Sequence, residues 1–196
     1  MSDHLRQMTD VPVAEQMTAT KFLDSPVPQR GRPWNLVDGE VVVNDPSALH
    51  GEVVEELQFA LAAWARAEPG RGKVAVPRDI QLDERNVFAP DLLWYCEGRV
   101  PSRHAPPPYP MPDIAAEVRS PSTWRHDIGE KKSGYERHGL PELWLLDTAA
   151  EVVLVFRRSA PGAPSFDVAL ELGAGETLTS PLLAGFALPV APLFAG

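Results

Sequence analysis

The chain has 196 residues, 44% of them hydrophobic, and a formal net charge of −9. This length and apolar content suit one domain with a substantial core, and they exclude a disordered or fibrous chain. The single cysteine, Cys96, excludes an intrachain disulfide, and no run of about 18 apolar residues is present that could span a membrane. We therefore expect a cytoplasmic protein with no membrane partner.

The N-terminal segment differs in character from the rest of the chain. Residues 1–16 carry both signs of charge and have no apolar signal core, so they are predicted to be a flexible extension and not a secretory signal. Residues 17–196 are predicted to form a single domain. The 21 prolines lie mainly at the ends of apolar runs, which indicates short, well separated helices and strands.

The first third of the chain predicts a short helix, a hairpin and a long helix. The short helix is expected over 18–24. Asp38-Gly39, between two apolar runs in 35–43, predicts a two-residue hairpin turn, because both central positions of that turn need positive φ. The long helix is expected to run about five turns, with Asp45 or Ser47 as its cap and Pro69-Gly70 at its end. Its predicted apolar stripe consists of Leu49, Val53, Leu57, Ala60 and Trp64.

The remaining pattern predicts strands with one further helix. Strands are expected over 72–76, 79–82 and 90–96, as pieces of one sheet, and then over 113–119, 142–147, 151–156 and 166–172. A helix is expected over 127–138, and the proline-rich stretch 100–112 is predicted to be a stiff surface connection. This order is too poor in helix for regular βαβ alternation. It favours an α/β (α+β) fold with a mixed central β-sheet flanked by helices.

Two acidic residues stand out because they lie in apolar strands. Side chains alternate along a strand, so Glu117 shares its face with Asp113, Ala115 and Arg119 and lies in the middle of the strand. Asp91 follows Pro90 and opens another apolar run. A buried carboxylate is unfavourable by several kcal/mol unless it is paired or bound to a cation. Asp91 could instead cap a turn, and Glu117 could pair with Arg119.

Lys131 is the candidate cation beside these acids. At about 100° per residue, Ile128, Lys131 and Tyr135 fall on one face of the predicted helix, so Lys131 is expected at the border of the buried stripe. Lys132 lies one position further round. Two carboxylates and a lysine can hold a hard divalent cation and stabilise charge on a phosphate, which indicates metal-assisted nuclease chemistry.

The long helix adds a third acidic candidate. Glu56 is placed at the edge of the apolar stripe and could face the same cavity, whereas Glu55 points further away. A boundary glutamate on an amphipathic helix is an equally good interpretation of Glu56.

At these residues the sequence resembles the Uma-type restriction endonuclease family of the PD-(D/E)XK nuclease superfamily. The resemblance is nearly full-length, and its most specific part is the stretch DIAAEVRSPST over 113–123 followed by Asp127-Ile-Gly-Glu-Lys131. It extends to Asn35–Glu40, His50, Ala89-Pro90-Asp91, Tyr135, 138–144, Ser180-Pro181 and Gly185-Phe186.

The resemblance implies a restriction-endonuclease-like core with an N-terminal hairpin, and divalent-metal-dependent hydrolysis of phosphodiester bonds in DNA. Asp91 and Glu117 match the metal-binding acids, for Mg²⁺ or Mn²⁺, and Lys131 matches a lysine moved from the strand to the following helix. Arg119 occupies the position where the superfamily usually has lysine, so Lys131, Lys132 and Arg119 all remain candidates. Glu56 corresponds best to the family's polar position in the first helix, and His50 is a weaker candidate.

The expected chemistry gives Lys131 the role of stabilising the phosphorane or orienting the attacking water. Ser122 and Thr123 could hydrogen-bond a backbone phosphate or simply form the turn before the helix.

A second hypothesis fits the acidic composition better. The net charge of −9 is unfavourable for binding a polyanion, since phosphate contacts supply most of the affinity for nucleic acid. This charge argues for loss of nuclease activity, and the alternative is a catalytically inactive nuclease-like protein that binds nucleic acid or a protein partner. Glycoside hydrolysis by two carboxylates has no supporting aromatic pattern. A homodimer is possible through exposed C-terminal strands.

Overall fold

The computed structural model describes residues 16–25 and 34–195, and it contains five α-helices, one π-helical turn and twelve strands within those residues. The predicted flexible extension lies, apart from Gln16, outside the described residues. None of the helices in these two ranges is both long and apolar enough to cross a membrane.

The helical elements fall into three groups along the chain. The N-terminal ones are α1 (Ala19–Leu23) and α2 (Ala48–Ala67). The middle ones form one continuous helical segment, made of α3 (Trp124–His126), a π turn (Asp127–Lys131) and α4 (Lys132–Arg137). A short α5 (Ala191–Phe194) lies near the C-terminus.

The strands form two larger sheets and one small ribbon. Their bounds are β1 (Trp34–Val37), β2 (Glu40–Val43), β3 (Lys73–Ala75), β4 (Ile80–Gln81), β5 (Val87–Phe88), β6 (Leu92–Tyr95), β7 (Ile114–Val118), β8 (Glu142–Asp147), β9 (Val152–Arg157), β10 (Val168–Leu172), β11 (Thr177–Leu178) and β12 (Leu188–Pro189). The central sheet has the order β10-β9-β8-β7-β6-β3, the second sheet β2-β1-β5-β4, and the ribbon pairs β11 with β12. Only β7 and β8 run parallel within the central sheet, so it is mixed as predicted.

The alternation predicted for 113–119 is confirmed: the two faces of β7 pack in two different hydrophobic clusters. Ile114, Ala116 and Val118 pack in a large cluster with Val53, Leu57 and Leu61 of α2. The opposite face of β7 carries Ala115, which packs with Tyr135 of α4 and Phe88 of β5. The central sheet is therefore covered by α2 on one face and by the α3–α4 segment on the other. This confirms the predicted fold class.

Several local predictions are confirmed by the backbone. Asp38 and Gly39 have φ of 49° and 82° in the β1–β2 turn, as the hairpin requires. Ser47 caps α2, its hydroxyl accepting a hydrogen bond from the His50 amide at 3.2 Å.

Other local predictions were wrong. The early strands are not pieces of one sheet: β4 belongs to the second sheet, and it pairs there with β5, which the polar stretch before Val87 concealed. Leu49 is 38% exposed, because the buried face of α2 is formed by His50, Val53, Leu57 and Leu61. His50, 5% exposed, takes the place predicted for Leu49 at the start of the inward face.

Candidate active site

The centre of the candidate site is an ion-pair cluster around Lys131. Its ammonium Nζ lies 2.6 Å from Glu117 Oε1 and 3.0 Å from Asp127 Oδ1. All three residues are at most 3% exposed. Lys131 is therefore inside the protein, and not at the border of the buried stripe as the helix phase predicted.

The π turn explains why Lys131 points inward. The Lys132 amide donates to the Asp127 carbonyl, five residues back, which widens one turn of the helical segment and shifts the phase of its side chains. Asp127 and Lys131 both come to the buried side, whereas Ile128 is 46% exposed. The predicted grouping of Ile128 with Lys131 was wrong because it assumed a regular α-helix.

Asp91 lies at the edge of this cluster by sheet register. Leu92 of β6 is opposite Ala116 of β7 in an antiparallel pair, so the register places Asp91 opposite Glu117. Asp91 Oδ2 accepts a hydrogen bond from the Val118 amide at 2.8 Å and lies 3.1 Å from His50 Nε2. The two acids singled out in the sequence therefore share one end of the β6–β7 pair, and His50 of α2 orients one of them.

Tyr135 and Phe88 complete the inner wall. The Tyr135 hydroxyl donates to Glu117 Oε1 at 2.8 Å. Its ring packs edge-on against Phe88, with 5.2 Å between centroids, and Lys131 Nζ lies 5.9 Å from the same Phe88 ring. Gly134 allows this packing, because a Cβ there would lie 2.8 Å from the Phe88 ring. The polar cluster thus rests on an apolar, water-excluding floor.

Asp127 is held from its other side by the turn after β7. Its Oδ2 accepts from the Thr123 hydroxyl at 3.2 Å, and the Thr123 and Ser120 hydroxyl oxygens are 2.8 Å apart. Thr123 is buried while Ser122 is exposed. Of the two uses considered for these residues, Thr123 is engaged in building the turn, and Ser122 is the one on the surface.

In this cluster the pKa values of both Glu117 and Lys131 are raised. Burial raises the pKa of Glu117 from 4.5 to about 8; Lys131 opposes this rise, while Asp127 and Asp91 add to it. Burial alone would lower the pKa of Lys131, but the Asp127 and Glu117 carboxylates outweigh it and hold that pKa above its ordinary value. Lys131 is therefore charged, whereas burial, together with the neighbouring Asp127 and Asp91, favours the protonated form of Glu117.

This acidic surplus fits a divalent cation. Lys131 and Tyr135 both contact Glu117 Oε1, and the contacts of Asp91 converge on Oδ2, so the other oxygen of each carboxylate is the one that a cation would use. Within residues 16–25 and 34–195, no three histidine, cysteine, aspartate or glutamate side chains are arranged to hold an ion by themselves. The protein would supply two carboxylates, as Mg²⁺ commonly requires, and leave the other positions to water and phosphate.

The remaining predicted candidates lie elsewhere. Arg119 pairs with Asp147 at 2.8 Å and lies over the Trp124 ring, and Lys132 lies over Phe156 at 4.6 Å. Glu56 is exposed on α2 and lines a cavity beside Pro192. The structure therefore brings Asp91, Glu117 and Lys131 together and leaves Glu56, Arg119 and Lys132 outside that group.

Sequence reasoning missed Asp127 and the Tyr135 hydroxyl as members of the site. A signal for Asp127 was present, because an acid four residues before a lysine on a helix is a common pairing. Tyr135 was placed on the face of Lys131, but its hydrogen bond to a strand residue depends on how the helix packs on the sheet.

Comparisons with known proteins agree with this architecture. The model of the Uma2 family, described as "Putative restriction endonuclease", matches residues 19–191. A crystal structure from Anabaena variabilis, titled as a "putative nuclease belonging to DUF820", superposes with a TM-score of 0.73 at 16% sequence identity, covering 91% of this chain and 97% of that one. At this identity the structural likeness establishes the fold. No curated protein matches the chain.

Proposed function

Because the chain belongs to the Uma2 family of restriction-endonuclease-like proteins, we propose that it is a divalent-metal-dependent endonuclease that hydrolyses phosphodiester bonds of DNA. The observation that carries this proposal is the 2.6 Å contact between Lys131 and Glu117, with Asp91 opposite Glu117 in the sheet register. The cation, the two acids proposed to bind the metal and the apolar floor would then lie together at one end of the β6–β7 pair.

Asp91 and Glu117 would hold Mg²⁺ or Mn²⁺, which when bound supplies Lewis-acid stabilisation of the phosphate and lowers the pKa of a bound water. Lys131 contributes a preorganised positive charge beside the reacting phosphate. Asp127 positions Lys131 through its 3.0 Å contact, and His50 positions Asp91. Tyr135 fixes the Glu117 carboxylate from the helix side.

Arg119 is not proposed as the catalytic cation. Its guanidinium makes two hydrogen bonds to Asp147, at 2.8 and 3.0 Å. A cation committed to another carboxylate is poorly placed to meet a phosphate beside Glu117. Lys131 therefore carries the role that the superfamily usually gives to the lysine two residues after the acid.

The test is a cleavage assay on single- and double-stranded DNA and on RNA, with Mg²⁺, Mn²⁺ or EDTA. The wild-type chain should cut DNA only with a divalent cation, and Glu117→Gln should lose this activity. Glu56→Gln, an exposed glutamate outside the cluster, is the matched control and should cut normally. Cation-dependent cutting that persists unchanged in Glu117→Gln would overturn the assignment.

A second candidate function is binding of a protein or of nucleic acid without cleavage. The net charge of −9 disfavours contact with a polyanion and so favours a protein partner of the two. The same assay separates the two. A chain that shifts DNA in a gel but leaves it intact with Mg²⁺ and Mn²⁺ would support the binding function.

A further inference from the structure

A second site is indicated at the opposite end of the β7–β8 pair, where a cavity of about 600 Å³ opens. Asp113, immediately before β7, and Glu142, the first residue of β8, lie at its base. Its volume is in the range of cavities that bind small molecules. Four residues of extended strand, about 13 Å, separate Asp113 from Glu117, so this cavity is not part of the catalytic cluster.

The cavity combines apolar walls with arginines. Pro141, Val168 and Leu182 supply apolar surface, while Arg99, Arg157 and Arg158 supply three guanidinium groups. In a chain with a net charge of −9, three arginines around one cavity are a marked local departure. The two acids at the base do not each pair with an arginine: Asp113 pairs with Arg99, whereas Glu142 accepts hydrogen bonds from Trp144 and Ser180.

Two of the arginines have their partners within the protein. Arg99 pairs with Asp113 and also donates to the Met111 carbonyl. The Arg158 guanidinium donates to the carbonyls of Leu140, Glu136 and Ala163. Both groups serve to hold the walls of the cavity in place.

Arg157 is the arginine that has no such partner. Its Nε is buried without a hydrogen-bond partner, and no ion pair within the described parts of the chain includes its guanidinium. Glu142 is its cross-strand neighbour, and the charge of Arg157 opposes the rise that burial causes in the Glu142 pKa; the Glu142 oxygens nevertheless accept their hydrogen bonds from Trp144 Nε1 and the Ser180 hydroxyl, each at 2.7 Å. The Arg157 guanidinium therefore has a donor that no group of the described chain satisfies, and Arg157 lines the cavity, where an acceptor from outside can bind.

We propose that this cavity binds a small organic anion. Its carboxylate or phosphate oxygens would accept hydrogen bonds from Arg157, whose planar guanidinium matches both groups, and its apolar body would pack against Val168 and Leu182. The cavity is separate from the catalytic cluster, and this inference does not depend on nuclease activity.

The test is calorimetric titration of the full chain with four probes: benzoate, phenyl phosphate, inorganic phosphate and benzyl alcohol. Saturable 1:1 binding of benzoate or of phenyl phosphate supports the proposal, and the tighter of the two identifies the anionic group. Absence of saturable binding by both overturns it. Benzyl alcohol binding as tightly as the anions would overturn the role of Arg157, and inorganic phosphate binding as tightly as phenyl phosphate would overturn the role of the apolar wall.

Variants locate the binding in this cavity. Arg157→Gln should weaken binding of the preferred anion at least tenfold, whereas Arg66→Gln, an exposed arginine on α2, should leave it unchanged. Ala160→Trp, at an exposed turn position on the rim, should fill the cavity and block binding, and it decides the question if Arg157→Gln does not fold. Undiminished binding in either folded cavity variant contradicts the proposal.

Discussion

The two ends of the parallel β7–β8 pair carry opposite surpluses of charge. At the carboxyl end of β7, the acids Asp91, Glu117 and Asp127 surround the single lysine Lys131. At the amino end, three arginines line a cavity with two acids, of which Asp113 pairs with Arg99 and Glu142 accepts from Trp144 and Ser180. The same pair of strands thus presents a buried negative surplus at one end and a positive surplus at the other.

This difference shows how a sheet can separate two binding chemistries. Buried charge is unfavourable without compensation, so each surplus predicts a ligand of the opposite sign. The acidic end suits a metal cation and the basic end suits an organic anion. Variants at the acidic end, each compared with a matched position outside it, test this separation.

The largest expected effect is that of Glu117→Gln on cleavage. The amide keeps the shape and the contact with Tyr135 but offers no negative charge to a metal, so the rate should fall by about 10³-fold. Single-turnover cleavage of a labelled DNA duplex measures it. Glu56→Gln should differ from wild type by less than about twofold, since exposed substitutions away from a site are nearly neutral. Equal rates in the two variants would remove Glu117 from the site.

Lys131→Met should affect both activity and stability. Removing one partner of a buried ion pair leaves uncompensated carboxylates, at a cost of about 3 kcal/mol in the free energy of unfolding. Cleavage should fall by about 10²-fold or more. The comparison is Arg119→Met, whose ion pair with Asp147 is one-third exposed on the arginine side and should cost less than about 1 kcal/mol. Urea unfolding measures both; a greater loss for Arg119→Met would reverse the assignment of the buried cation.

His50→Ala should have a smaller effect, on activity more than on stability. It removes the side chain that orients Asp91, and loss of such a supporting group lowers metal affinity or activity about 10–100-fold. Ser47→Ala, one turn earlier, removes the helix cap at a cost of about 1 kcal/mol but should leave cleavage nearly unchanged. Partial recovery in His50→Gln would identify the hydrogen bond as the cause. An equal loss of activity in Ser47→Ala would attribute the effect to the helix start.

The least direct test of the acidic end is the pH dependence of stability in metal-free protein. Because the pKa of Glu117 rises from 4.5 to about 8 on folding, the folded state binds a proton that the unfolded state has lost between these values. Its contribution to stability is present below about pH 4.5 and is lost as pH rises towards 8. Urea unfolding across this window should show a decline in wild type that is weaker in Glu117→Gln. Identical pH profiles would mean that Glu117 is not the group responsible.

Much of the fold followed from local patterns, because hairpin turns and strand alternation are encoded by neighbouring residues. Asp38-Gly39 and the alternating Asp113–Arg119 segment placed the hairpin and both faces of β7 correctly. The division into two sheets could not be predicted, since β4 and β5 are two residues each and their pairing depends on contacts distant in sequence.

The candidate site was only partly predictable for a related reason. Asp91 and Glu117 were visible as acids in apolar strands, which is a local signal. The burial of Lys131 could not be predicted in the same way. One π turn changes the phase of the helix, and the composition of 127–131 does not indicate that turn. Asp127 entered the site through the same turn.

Mn²⁺ binding to the full chain at pH 8.5, followed by electron paramagnetic resonance, tests the central claim most directly. The account predicts one bound Mn²⁺ per wild-type chain, displaced by Mg²⁺, and loss of that binding in Glu117→Gln but not in Glu56→Gln. No bound Mn²⁺ in the wild type, or equal binding in wild type and Glu117→Gln, would contradict a metal site at Asp91 and Glu117.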